Sequence, residues 1–147
     1  MRTFSFRLER LRTLAEGERQ LRAQELASAQ AVAASAREEL ERRAQARRAH
    51  LEEAREPDRP EPLDLDQWSA GQANYQLLRG SELQAAHQLA AARDEEDAAR
   101  GAYLEARKQD RTLERVRERR KAAWDLEAQR SEQSLLDDEN ARRGGQG

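Results

Sequence analysis

The chain has 147 residues, of which only 37% are hydrophobic and 4% aromatic while 38% are charged, which excludes a thick globular core. Its 27 basic and 29 acidic side chains leave a formal charge of -2 and are interspersed, so the basic stripe of a dedicated nucleic-acid binder is missing. A composition this polar, rich in Ala, Glu, Arg, Leu and Gln with regular periodicity, suits long helices that bury only a narrow stripe.

The opening, Met1-Arg2-Thr3-Phe4-Ser5-Phe6-Arg7, has no long apolar core after its basic residue and is a poor signal peptide. The first helix is expected over 3–55. Leu8, Leu11, Ala15, Arg22, Leu26, Ala29, Ala33, Ala36, Leu40, Ala44 and Leu51 recur mostly at steps of three and four, which places them on one face. The middle of this seam is alanine. At about 25 cal/mol per Å2 each alanine contributes far less than a leucine, although small side chains let two helices approach closely.

Pro57, Pro60 and Pro62 are the only prolines, and they interrupt the pattern once. Proline removes a backbone donor and clashes with the preceding turn, so the chain is expected to bend over 56–63. Asp64 or Asp66 then caps a second helix over 64–141. Its seam runs through Trp68, Tyr75, Leu78, Ala85, Leu89, Ala92, Ala99, Tyr103, Ala106, Leu113 and Val116, after which Ala123 or Trp124, Leu126 or Ala128, and Leu135 suggest a shift of heptad phase. Gly71, Gly80 and Gly101 each weaken this helix by up to about 1 kcal/mol relative to Ala. A frayed, disordered tail is expected over 142–147.

The fold class is therefore all-α, an antiparallel two-helix coiled-coil hairpin forming a single domain over 1–141. At 1.5 Å per residue the arms are roughly 75 and 110 Å long, so the second overhangs the first. The overhang carries Trp124, Leu126, Leu135 and Leu136 with no intramolecular helix to cover them, and exposed apolar surface of that kind calls for another chain.

No constellation of catalytic residues emerges, and an enzyme is not expected. His50 and His87 fall on different arms, and a fold-back at the prolines brings residue 50 near residue 70 rather than 87. The acidic run Asp94-Glu95-Glu96-Asp97 has the pattern of a solvated helix face. With no cysteine, disulfides and thiolate metal sites are excluded, and no cofactor or metal is expected. No apolar run approaches the roughly 18 residues of a membrane span, which points to a cytosolic protein held at a membrane only through a partner.

Two clusters suggest protein contacts. Arg115-Val116-Arg117-Glu118-Arg119-Arg120-Lys121 is the densest basic run, serving either as a helix surface with internal ion pairs or as a contact for an acidic partner. Trp68, Tyr75 and Leu78 form the other. Tyr75 and Leu78 fit the seam, whereas Trp68 sits at the bend, where two helices cover little of an indole and large aromatics are enriched in interfaces.

Phe4-Ser5-Phe6-Arg7-Leu8-Glu9-Arg10-Leu11 with Leu14-Ala15-Glu16 resembles the opening of the flagellar FliJ family of bacterial type III export proteins. Asp110-Arg111, Leu113-Glu114, Glu118-Arg119-Arg120, Glu132-Gln133 and Leu136-Asp137-Asp138 resemble its closing helix, in the same order. The resemblance implies a stalk that enters the pore of the hexameric export ATPase, promotes its assembly and ATP turnover, reaches the cytoplasmic domain of the membrane export gate and handles export chaperones. It implies gate contacts at Trp68, Tyr75 and Leu78. In that role, ring contacts fall at Arg117, Arg119, Arg120, Trp124, Glu132, Gln133, Leu135, Leu136 and Asp137. The equivalent stalk of a virulence injectisome and a generic coiled-coil scaffold unrelated to secretion are the alternatives.

Overall fold

A computed structural model describes residues 2–55 and 64–146. The expected proline bend at 56–63 lies outside the described residues. Among the described residues all regular structure is helical: α1 spans Glu9–Arg55 and α2 spans Leu65–Gly144. The two helices pack against each other in opposite directions as a hairpin, and the chain divides into two compact units, Arg22–Tyr103 and Met1–Leu21 together with Leu104–Gly147.

Within Arg22–Tyr103, the buried residues are Ala33, Ala44, Ala85, Leu89 and Ala92. Ala33 and Ala85, at 2% and 1% exposure, are the most deeply buried of these, and side chains as small as a methyl group allow two helices to pack closely. Polar ties join the two helices as well. Arg43 donates from Nη1 to the Ser81 carbonyl at 3.0 Å, and Arg47 pairs with Glu82. His50 Nε2 lies 3.1 Å from the Gly71 carbonyl, which can only accept, so the imidazole donates. Arg43 and Arg47 reach residues 81 and 82, whereas His50, further along α1, reaches back to residue 71, as the antiparallel sense requires. At the start of α2, Asp64 Oδ1 accepts from the Asp66 amide at 3.0 Å and the Asp64 carbonyl accepts from Trp68 at 2.9 Å, so Asp64 rather than Asp66 is the cap.

In the unit Met1–Leu21 with Leu104–Gly147, α1 begins at Glu9 rather than Thr3. Residues 2–6 have no regular structure and Arg7–Leu8 form a turn, closed by the Glu9 amide donating to the Phe6 carbonyl at 3.0 Å. Phe4 and Phe6 alternate with polar residues, and an extended chain turns both rings to one side, whereas a helix would place them some 200° apart. Phe6 is buried, as is Ala106 of α2.

Inward positions in this unit follow a regular three-four rhythm through Leu8, Arg12, Ala15 and Arg19 on α1 and Ala106, Asp110, Leu113 and Arg117 on α2, all buried or half-buried. The rhythm corrects the expected seam at Leu11, which is 51% exposed because Arg12 takes the inward position. Trp124 follows Arg117 by one heptad and is half-buried, but Arg120 is exposed and Ala128 rather than Glu127 is half-buried, so the expected shift of phase falls after Trp124. At the far end α2 continues through Gly144, with Arg142 and Arg143 in its last turn beside the negative end of the helix dipole.

Candidate functional site

The aromatic end of α2 is built first by the non-helical residues that precede α1. The Phe4 ring lies 6.1 Å from Trp124 at a tilt of 60°, and the Arg117 guanidinium sits 6.0 Å from the centre of the same ring. A cation over an aromatic face is attracted by the ring quadrupole. Arg117 also pairs with Glu9 at 3.4 Å, while Arg12 donates to Glu9 from Nε at 3.1 Å and Nη2 at 2.7 Å. Arg12's hydrogen bonds, and then the charges of Arg12 and Arg117, hold the Glu9 carboxyl below its ordinary value of 4.5. The same bond raises Arg12 above its own usual range. Farther from this knot, Arg19 joins Asp110 at 2.9 Å.

Beyond Ala128 the helix changes character. Every residue from 129 to 146 is exposed, including Glu132, Gln133 and Asp137, with Leu135 at 64% and Leu136 at 60%. Adjacent leucines project about 100° apart on a helix, so the apolar surface spans a wide arc rather than one stripe. Arg119 and Arg120 are exposed as well, whereas Arg117 and Trp124 are half-buried beneath Phe4. The residues expected to contact a ring thus divide into an open set and a covered pair. Leu11 and Leu14, which sequence reasoning did not assign to a surface, line an open groove of about 550 Å3 with Leu113, Glu18 and Lys108. Their signal was available: Leu14 and Leu21 repeat at seven residues on a face that the main seam does not use.

In the unit Arg22–Tyr103 the other trio also divides. Trp68 is 59% exposed and does not join the seam, with exposed Leu65 and Leu77 on the same stretch of helix. Tyr75 and Leu78 are half-buried. Tyr75 lies close enough to Arg47 to add to the effect of Glu82, the main cause that raises the Arg47 pKa. The remaining candidates for chemistry are ordinary helix surface. Glu96 and Asp97 both bind Arg100, at 2.7 and 3.2 Å, and His87 is exposed. Among the described residues no polar or charged residue is buried and no group of side chains could hold a metal ion.

The family model described as the flagellar FliJ protein matches residues 4–146. The chain belongs to the FliJ family. It is accordingly a component of the flagellar type III export system, in a family of export stalk proteins rather than of enzymes. The match includes both the aromatic segment before α1 and the exposed end of α2, so neither is an appendage foreign to the family. No curated protein matches, and no solved structure matches. Among the described residues of this FliJ-family chain, no helix is long and apolar enough to cross a membrane.

Proposed function

We propose that this FliJ-family chain acts as the stalk of the flagellar export ATPase. Its exposed α2 end enters the hexameric ring and promotes ring assembly and ATP turnover. The surface around Trp68 meets the cytoplasmic domain of the membrane export gate, and the chain also handles export chaperones. It works in the cytoplasm, at the inner membrane only through these partners. The observation that carries the ring contact is the wholly exposed segment 129–146 with Leu135 and Leu136 uncovered. Apolar groups on a lone helix are stabilised when a partner cavity removes them from water. Arg119, Arg120, Glu132 and Asp137 present both signs of charge around them, suited to charged loops gripping a helix from several sides. Membership of the flagellar family favours this system over a virulence injectisome and over a scaffold unrelated to secretion.

The test is co-purification with a hexameric flagellar export ATPase and measurement of its turnover. The double change Leu135→Asp and Leu136→Asp is expected to abolish stimulation while helicity persists; undiminished stimulation would refute the ring contact. In the same preparation Trp68→Ala, combined with Tyr75→Ala and Leu78→Ala, is expected to weaken binding to the gate's cytoplasmic domain, and unchanged binding would remove that assignment.

A further inference from the structure

We propose that residues 2–8 form an autoinhibitory strap over Trp124 and Arg117, and that the ATPase ring gains full access to the end of α2 only when the strap is displaced. The inference rests on the ring contact proposed above. It starts from a conflict of occupancy. Arg117 and Trp124 belong to the residues expected to meet the ring, yet a single side chain, Phe4, already lies within about one ring's reach of both, at 6.0 and 6.1 Å. A partner side chain cannot take those faces while Phe4 remains.

The strap is also built to open. Residues 2–6 lack the repeating backbone bonds of a helix, and the turn that joins them to α1 is closed by the Glu9 amide to the Phe6 carbonyl. Segments with few backbone bonds open locally without unfolding the elements they rest on. Its anchors are of two kinds: Phe6, which is buried, and the Phe4 ring, which sits on the cation and the indole. Glu9 stays within α1 and pairs with both Arg12 and Arg117, so the arginine is not stranded when Phe4 leaves. What is uncovered is an indole and, one heptad before it on the same helix, a guanidinium, close to where α2 leaves its last half-buried residues and becomes fully exposed. That surface fits a ring loop presenting an aromatic or aliphatic side chain next to a carboxylate.

When only the open fraction binds, apparent affinity falls by that fraction, so a strap open about one tenth of the time weakens binding about tenfold. The experiment titrates the full-length protein into the hexameric export ATPase and reads turnover. It compares the parent with Phe4→Ala, which retains the buried Phe6, and with a variant lacking residues 2–6. Both changes lie outside α1, and circular dichroism confirms retained helicity. Acrylamide quenching in a Trp68→Phe background reports the exposure of Trp124.

The expected result is greater Trp124 quenching and a half-saturating concentration lowered up to about tenfold, with maximal stimulation unchanged. An unchanged or raised half-saturating concentration overturns the strap. If Leu135→Asp with Leu136→Asp still abolishes stimulation in that assay, the ring contact survives the loss of the strap. If that double variant stimulates like the parent, the ring contact itself fails and the strap falls with it.

Discussion

The unit Arg22–Tyr103 and the unit formed by Met1–Leu21 with Leu104–Gly147 use the same pairing of α1 with α2 but hold it with different chemistry. In the first, four alanines and Leu89 are the buried residues, and Arg43, Arg47 and His50 reach across the edges of that contact. In the second, the buried residues are Phe6 and Ala106, and the pairing depends on Arg19–Asp110, on Arg117–Glu9 and on Phe4 against Trp124. Alanine permits close approach and specifies little else. Long arginines and aromatic rings bridge a wider space and can re-pair. The second unit is therefore the one suited to exchanging an internal contact for an external one, and it is also the unit that carries the wholly exposed end of α2.

The comparison is broken most directly at Leu89, the one large side chain among the buried residues of the alanine-rich unit. Leu89→Ala is expected to lower stability by about 2–3 kcal/mol, measured by thermal or denaturant unfolding, because alanine neighbours cannot move to fill the space. A loss below about 0.5 kcal/mol would mean that the unit does not depend on that side chain. The pairing of Arg47 with Glu82 should matter less. Arg47→Ala is expected to produce a smaller fall in melting temperature that shrinks further in high salt, and a double-mutant cycle with Glu82→Ala should return a favourable coupling. Equal destabilisation by Leu89→Ala and Arg47→Ala would reverse the contrast drawn between packing and polar ties.

The smallest expected effect is a local one, at Glu9. Its carboxyl is held below 4.5 in the folded chain by Arg12 and Arg117, so its contribution is present above the unfolded value and lost as pH falls through the lower folded one. Acidification from neutrality to below 4.5 should loosen the knot around Arg117. Trp124 fluorescence in a Trp68→Phe background reads that change, and Glu9→Gln should flatten the acid limb of the curve. An acid transition of Trp124 identical with and without Glu9 would remove the carboxylate from the knot. The Glu39 carboxyl is depressed by Arg43 and Arg42 within α1 of the other unit, and it has no such reporter nearby.

Much of the fold was legible in the residues because a two-helix seam obeys a short-range rule. Spacing of three and four places apolar side chains on one face whatever surrounds them, and the buried Ala33, Ala44, Ala85, Leu89, Ala92 and Ala106 all lie on the expected stripes. The exposure of Leu135 and Leu136 followed from unequal helix lengths, and the resemblance at the two ends of the chain agreed with the family match over residues 4–146. The misplaced residues share one cause. Leu11 was assigned inward while Arg12, Arg19 and Arg117 were left off the stripes, because hydropathy gives an arginine no inward preference; Arg22 was placed on its stripe by spacing alone. An arginine can lay its aliphatic stem along a seam and send its charge to a carboxylate at the edge, as Arg12, Arg19 and Arg117 do.

By itself, then, the order of the residues determined two amphipathic helices, the stripe on which each is buried and the family to which the chain belongs, since periodicity and local motifs are properties of neighbours along the chain. Only the tertiary structure decided that α1 starts at Glu9 and that the preceding residues lie across Trp124 and Arg117. Those outcomes depend on which distant side chains arrive at the same place: a backbone gives up helical hydrogen bonds over 2–6 when Phe6 is buried and Phe4 gains an indole and a cation more than a hundred residues away in sequence.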